Sequence, residues 1–222
     1  MPKDTFYNLP DEKRQHILTI LLEEFAENDY KNVSVSRIVS RAGIAKGSFY
    51  QYFEDKKDCY LYLLELAVQE KTAFLRQSPP PGTSLSIFNT LRWLLKAGLR
   101  FELSNPRLAQ ISYRAVFDDA PLPEETTALI RSGGMQYFTQ LVRQGMQEGD
   151  ITPDIDPGVA AFAFNAVFTN LGSYLMERLK IPSGSLLEDG RTDLASPEAQ
   201  TLMDDAIRVL ENGLSPRHGA AV

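Results

Sequence analysis

Between Ser34 and Phe53 the chain reads "SVSRIVSRAGIAKGSFYQYF", and this stretch constrains the fold more than any other. Val35, Ile38, Val39 and Ala42 recur at i, i+3, i+4 and i+7, the period of an α-helix with one apolar face. Ser34 stands where a side-chain oxygen caps a first turn, and Gly43 where a left-handed residue ends a last one. A short second segment follows from Ala45 to Phe53. Val35, Ile38, Val39, Ile44, Phe49 and Phe53 can all point inward and fix the angle between the two segments. Two short helices joined by a tight turn form a helix-turn-helix.

The rest of the chain carries the same period. Ile17, Leu18, Leu21, Leu22 and Phe25 follow Pro10 and two acids suited to a first turn. A further helix is expected to start at Asp55 as cap, with Asp58 three residues on, close to a capping box. The three prolines of "QSPPPGTS" (77–84) break the pattern. Helices are expected beyond it at about 85–104, 106–118, 124–148, 157–180 and 197–213. Gly149 is placed to follow a helix C-terminus, with Ile151 as the apolar contact nearby. No strand alternation or internal repeat interrupts this pattern. The predicted fold class is all-α.

Charge is distributed unevenly. The chain of 222 residues has a formal net charge of −6. Residues 31–57 hold six cations (Lys31, Arg37, Arg41, Lys46, Lys56, Lys57) against Glu54 and Asp55, a net +4 that leaves −10 for the remainder. A local basic window in an acidic chain implies a local anionic partner. With the apolar residues inside, Lys46, Gly47, Ser48, Tyr50, Gln51 and Tyr52 fall on the outer face of the second helix. That face fits a major groove: Lys46 and Gln51 can donate to base edges, and Gly47 permits close backbone approach. Ser34, Ser36 and Arg37 open the preceding helix, whose N–H groups can meet a phosphate. Lys56 lies in a first turn, where a cation opposes the helix dipole, and a phosphate contact is the expected reason for it. Phe49 and Phe53 are expected to be core, and Lys31, Arg41 and Lys57 solvated surface.

Other classes find little support. One cysteine, Cys59, excludes an intrachain disulfide and suits a reducing, cytoplasmic setting. It is read as a buried structural thiol. His16 and His218 are far apart, no His/Cys spacing suits a metal, and "PPGTSLS" lacks the Lys-Ser/Thr of a phosphate loop. No enzyme, metal or cofactor is therefore expected. The N-terminus has no apolar signal region. The apolar run 158–176 is interrupted by Asn165, Thr169, Asn170 and Ser173 and is read as a protein-buried helix, not a membrane span.

"VSVSRIVSRAGIAKGSFYQYFEDKKD" resembles the N-terminal DNA-binding region of the TetR family of bacterial transcriptional regulators, over about residues 10–64. A weaker resemblance lies at "LVRQGMQEGDITPDIDPGVAAFAFNAVFTNL", where the family often has a Glu-Gly turn and then Asp-Pro opening a long helix. The resemblance implies a helix-turn-helix domain at 1–55 and a larger effector-binding and dimerisation domain at 56–222. It also implies a homodimer on double-stranded operator DNA, most simply a repressor released by a small apolar or aromatic effector. Two late helices, about 157–180 and 197–213, would form the dimer interface, with Ala160, Ala161, Ala163, Ala166 and Gly172 allowing close approach. Trp93, Tyr113, Phe117, Tyr137 and Phe168 are candidate effector contacts, with Arg92, Arg114 and Asn165 as polar candidates. Three positions depart from the family pattern. Ala45 replaces the usual Ser or Thr cap of the reading helix, a loss of about 1 kcal/mol, Tyr52 stands where His is common, and Cys59 where Leu is common. The competing reading is a helical interaction protein of the same fold that no longer reads DNA.

Overall fold

A computed structural model describes residues 1–78, 80, 86–117, 124–181 and 195–215, the side chains of 116, 117 and 124–133 excepted. The described residues form ten α-helices and no strand: α1 (Asp4–Tyr7), α2 (Asp11–Glu27), α3 (Val35–Ala42), α4 (Lys46–Tyr52), α5 (Lys56–Gln77), α6 (Ile87–Ser104), α7 (Pro106–Phe117), α8 (Glu124–Glu148), α9 (Pro157–Arg178) and α10 (Pro197–Leu214). The fold is all-α, and the later helices begin and end within about two residues of the positions expected from periodicity. Most of the Pro-rich break, the connections around 118–123 and 182–194, the Phe117 side chain and His218 lie outside the described residues.

The chain divides into two compact units. The first comprises Met1–Phe74 with residues 101–117, so the boundary expected at residue 55 falls inside it. The reason is packing. Cys59, Tyr60 and Leu63 of α5 and Ile111 of α7 share one apolar cluster with Ile17, Leu21 and Phe25 of α2 and Ile38, Phe49 and Phe53 of the helix-turn-helix. Phe25 stacks on Tyr60 at 5.5 Å between ring centroids. The Cys59 thiol is fully buried, and burial pushes its pKa well above the usual thiol value, as a structural cysteine requires.

The second unit is built on α8 and α9, with the first part of α6 and α10 completing its core around Phe88, Phe138, Phe164 and Ile207. Its helix ends follow the sequence signals. Asp156 caps α9 by accepting from Gly158 N at 2.8 Å and Val159 N at 3.0 Å, with Pro157 in the first turn. Ser196 caps α10 through Ala199 N at 3.2 Å. Gly149 adopts φ +82°, and Ile151, fully buried, donates back to Gly145 O at 3.1 Å. That is the glycine-plus-apolar ending expected from the sequence.

By length and composition alone α9 could cross a membrane, and 33% of its most apolar window is buried. The expected buried helix is thus buried on one side only. Ala160, Ala161, Phe164, Leu171 and Leu175 face the core, while Val159, Phe162 and Tyr174 are exposed. Beside Tyr174, an open groove between α9 and α10 is lined by Ala166, Val167, Leu171, Leu202, Ala206 and Val209.

Candidate nucleic-acid interface

The helix-turn-helix is fixed at each of its joints. Ser34 adopts an extended backbone and its hydroxyl accepts from Arg37 N at 3.3 Å, capping α3. Gly43 takes φ +62°, a left-handed geometry that costs an L side chain roughly 1–2 kcal/mol. Ile44 N then returns to Val39 O at 3.1 Å, closing the turn as a Schellman bond. Ala45 holds the extended backbone of an N-cap but offers no acceptor, so the lost cap expected from the sequence is real.

The second helix, α4, buries Phe49 at 1% exposure and ends against Phe53 at 0%. Its open side carries Lys46, Gly47, Tyr50 and Gln51, all exposed, with Ser48 half-buried at the edge. Positions i, i+1, i+4 and i+5 of a helix share one face, so these four form a single surface. Lys46 has no ion-pair partner among the described residues. Ser36, exposed on the first turn of α3, and half-buried Ser34 complete the accessible set from the sequence reading.

Three assigned residues have other duties. Tyr52 is buried at 6% exposure, its ring 5.9 Å from that of Phe6, so it does not project from the reading face. Phe6, fully buried in the four-residue α1, covers the tyrosine ring. Lys56 donates to Tyr30 O at 2.8 Å and Val33 O at 3.1 Å and lies 4.5 Å from the centre of the Tyr30 ring. A first-turn lysine is accounted for by these carbonyls and by a cation–π contact, without a phosphate. Arg37 commits Nε and Nη2 to Glu24 and shares Nη2 with Asn32 O at 2.8 Å. It braces α3 from within, although half its side chain is exposed.

Glu24 is the centre of that brace. The residue is 1% exposed, and its carboxylate accepts from Ser34 N at 2.9 Å and from Arg37 at 2.6 to 3.0 Å. Burial alone would raise its pKa, but the Arg37 hydrogen bonds, the Ser34 N–H and the Arg37 and Arg41 charges outweigh it and hold the carboxyl below its usual range. Next to it, Glu23 joins Arg41 of α3 to Arg107 of α7, the latter at 2.7 Å. Arg41, expected to be plain surface, is therefore paired.

The candidate effector residues are less coherent. Tyr113 belongs to the first unit, and Trp93, Tyr137 and Phe168 to the second. Phe168 packs on Phe138 at 5.0 Å as part of the core, whereas Tyr137 is 43% exposed. Arg92 pairs with Glu211, and Asn165 lies directly against Gly134. Arg114 lies 3.6 Å from Asp29. Among the described residues no group of three or more His, Cys, Asp or Glu side chains could hold a metal.

Comparison with known proteins gives this geometry a family. Residues 17–63 match the profile described as "Bacterial regulatory proteins, tetR family", and residues 85–215, more than half the chain, match "Tetracyclin repressor-like, C-terminal domain". The chain belongs to the TetR family. It is a TetR-family transcriptional regulator, and α3 and α4 are its DNA-binding helix-turn-helix. A TetR-family transcriptional regulator from Chloroflexus aurantiacus is 53% identical to it, with a TM-score of 0.79 over 98% of this chain and 100% of that one. The transcriptional regulator AcuR of Cereibacter sphaeroides is 29% identical across 68% of this chain and 70% of its own. The transcriptional regulator FadR from Bacillus subtilis, solved in complex with stearoyl-CoA, shares the fold at a TM-score of 0.66 and 18% identity, covering 90% of this chain and 98% of that one.

Proposed function

We propose that this TetR-family regulator is a cytoplasmic repressor that binds an operator duplex as a homodimer and leaves it when a small apolar or aromatic effector binds. The observation that carries the DNA-binding part is the α4 surface: Lys46, without an ion-pair partner among the described residues, a side-chain-free Gly47 and exposed Tyr50 and Gln51 on one face of a helix whose other face is core. Lys46 and Gln51 are the base-reading candidates, Gly47 and Tyr50 lie against the duplex, and Ser34, Ser36 and Ser48 meet phosphate or sugar. Tyr52, Arg37 and Lys56 hold this surface in place.

A single head covers one half-site, and helix-turn-helix dimers span half-sites about 34–36 Å apart. Exposed Val159, Phe162, Tyr174 and Val209, at 51–73% exposure, and the groove between α9 and α10 supply an apolar face for a second copy. The aromatic residues of the second unit, Trp93, Tyr137 and Phe168 among them, favour an apolar effector. The B. subtilis FadR, of the same fold, was solved in complex with stearoyl-CoA, a ligand whose acyl chain is apolar although its CoA part is anionic. By linkage, the effector weakens operator affinity only as far as it prefers the non-binding conformation.

The test is selection from random duplexes followed by affinity against salt. A selected motif, an affinity that falls steeply with salt, and relaxed base preference on Lys46→Ala or Gln51→Ala are expected. No selected motif and a salt slope near zero would overturn the proposal and leave the interaction-protein reading. Native mass spectrometry of protein purified from its own host reports subunit number and any retained small molecule together.

A further inference from the structure

A reading surface is only as well placed as its helix, and α4 has seven residues. A helix that short is unstable in water by itself, and Ala45 adds no cap at its start. Its other end is held from outside. The last four carbonyls of a helix have no intrahelical donor within it. In α4, Phe49 O accepts from Phe53 N at 2.8 Å, and the other three accept from the chain's N-terminal segment. Lys3 Nζ donates to Tyr50 O at 2.9 Å, the Thr5 hydroxyl to Gln51 O, and Lys3 N to Tyr52 O at 2.8 Å. All four orphan acceptors are thus satisfied, and the Lys3 ammonium lies at the negative end of the helix dipole. Phe6, 0% exposed, pins the segment from below, its ring 5.0 Å from Phe53 and 5.9 Å from Tyr52.

We infer that residues 3–6 form a positioning strap for the reading helix, with Lys3 and Thr5 as positioning residues that set base selectivity through α4. The inference deepens the DNA-reading proposal and rests on it. The strap substitutes at the C-terminal end for the cap that Ala45 lacks at the N-terminal end. It acts on the backbone of Tyr50, Gln51 and Tyr52, two of which carry reading side chains. Loosening it lets Gln51 swing off a base edge while leaving the charge of Lys46 near the duplex. Selectivity therefore falls more than non-specific affinity does.

The experiment uses the full chain with Lys3→Met/Thr5→Val, which removes two donors, and Thr5→Val and Thr5→Ser singly. Hydrogen exchange is measured without DNA, and affinity for the best selected duplex is compared with that for random duplex. One hydrogen bond is worth roughly fivefold in an equilibrium. The double variant is expected to speed exchange of the 50–53 amides by about fivefold to twentyfold, with α5 unchanged, and to cut the selected-to-random affinity ratio by about fivefold or more. Thr5→Ser, which keeps the hydroxyl, should match the parent where Thr5→Val does not. Unchanged α4 exchange in the double variant overturns the inference. So does faster exchange throughout the first unit with both affinities falling together, the result of a merely structural role. A parent chain that selects no duplex sequence refutes the DNA-reading proposal, while the exchange measurement still decides the strap.

Discussion

Replacing Arg37 by Met should destabilise the helix-turn-helix more than removing the charge of its partner, Glu24. Glu24 is 1% exposed whereas the Arg37 side chain is 50% exposed, so the two ends of the pair face different consequences. Among the described residues, the buried carboxylate in Arg37→Met keeps Ser34 N at 2.9 Å and the Arg41 guanidinium at 3.9 Å, which Glu23 already shares. Leaving a buried charge largely uncompensated costs about 3–5 kcal/mol. In Glu24→Gln, the amide oxygen still accepts from Ser34 N, and Arg37 can turn to water. The loss is the charge assistance of two or three hydrogen bonds, about 1–2 kcal/mol. The double variant should therefore be more stable than Arg37→Met alone, a coupling of about 2 kcal/mol. Urea unfolding at fixed protein concentration, followed by hydrogen exchange at α3, reads these differences.

The pH dependence has a definite sign. With Arg37 present, the Glu24 carboxyl is held below its usual value, so its stabilisation is complete above the unfolded carboxylate pKa of about 4.3 and is lost as pH falls through the lower folded value. In Arg37→Met burial dominates and the folded pKa rises, so protonation relieves the defect. The gap between parent and variant should narrow between pH 7 and pH 4. A Glu24→Gln variant as unstable as Arg37→Met, or a gap that widens on acidification, would refute the assignment of Glu24 as the costly end of the pair.

Ala45→Ser should stabilise the first unit by about 1 kcal/mol, because Ala45 already has the extended backbone of an N-cap. A rise in the midpoint of thermal unfolding checks it. Lys56→Met should leave the salt slope of duplex binding unchanged, because Nζ is held by Tyr30 O and Val33 O. A slope smaller by about one would restore a phosphate contact to this residue. Val209→Asp, at a position 73% exposed in α10, should shift the chain toward monomer in sedimentation without unfolding it. Unaltered association would move the dimer face elsewhere.

Much of the fold was legible because its signals are local. Ser34, Gly43, Gly149 and the Asp156–Pro157 pair each mark a helix end through their own backbone chemistry, and the structure uses all of them in that way. The unit boundary was not legible. That α5 to Phe74 and residues 101–117 join the helix-turn-helix is decided by Ile111 and its neighbours meeting a core some 50 residues or more away in sequence, and periodicity does not say which apolar faces meet.

The same division runs through the site. Lys46, Gly47, Tyr50 and Gln51 could be placed on an outer face from spacing alone, since i, i+1, i+4 and i+5 follow from helix geometry once Phe49 and Phe53 are inside. Tyr52, Arg37 and Lys56 could not, because each is claimed by a partner at long range: Phe6, Glu24, and the carbonyls of Tyr30 and Val33. A basic or aromatic residue beside a reading helix has two outlets, an external anion or an internal acceptor, and composition does not distinguish them. What distinguishes them is whether orphan carbonyls or a buried carboxylate lie within reach. Among the described residues those acceptors draw in Arg37 and Lys56, while Lys46, exposed on α4, has no ion-pair partner.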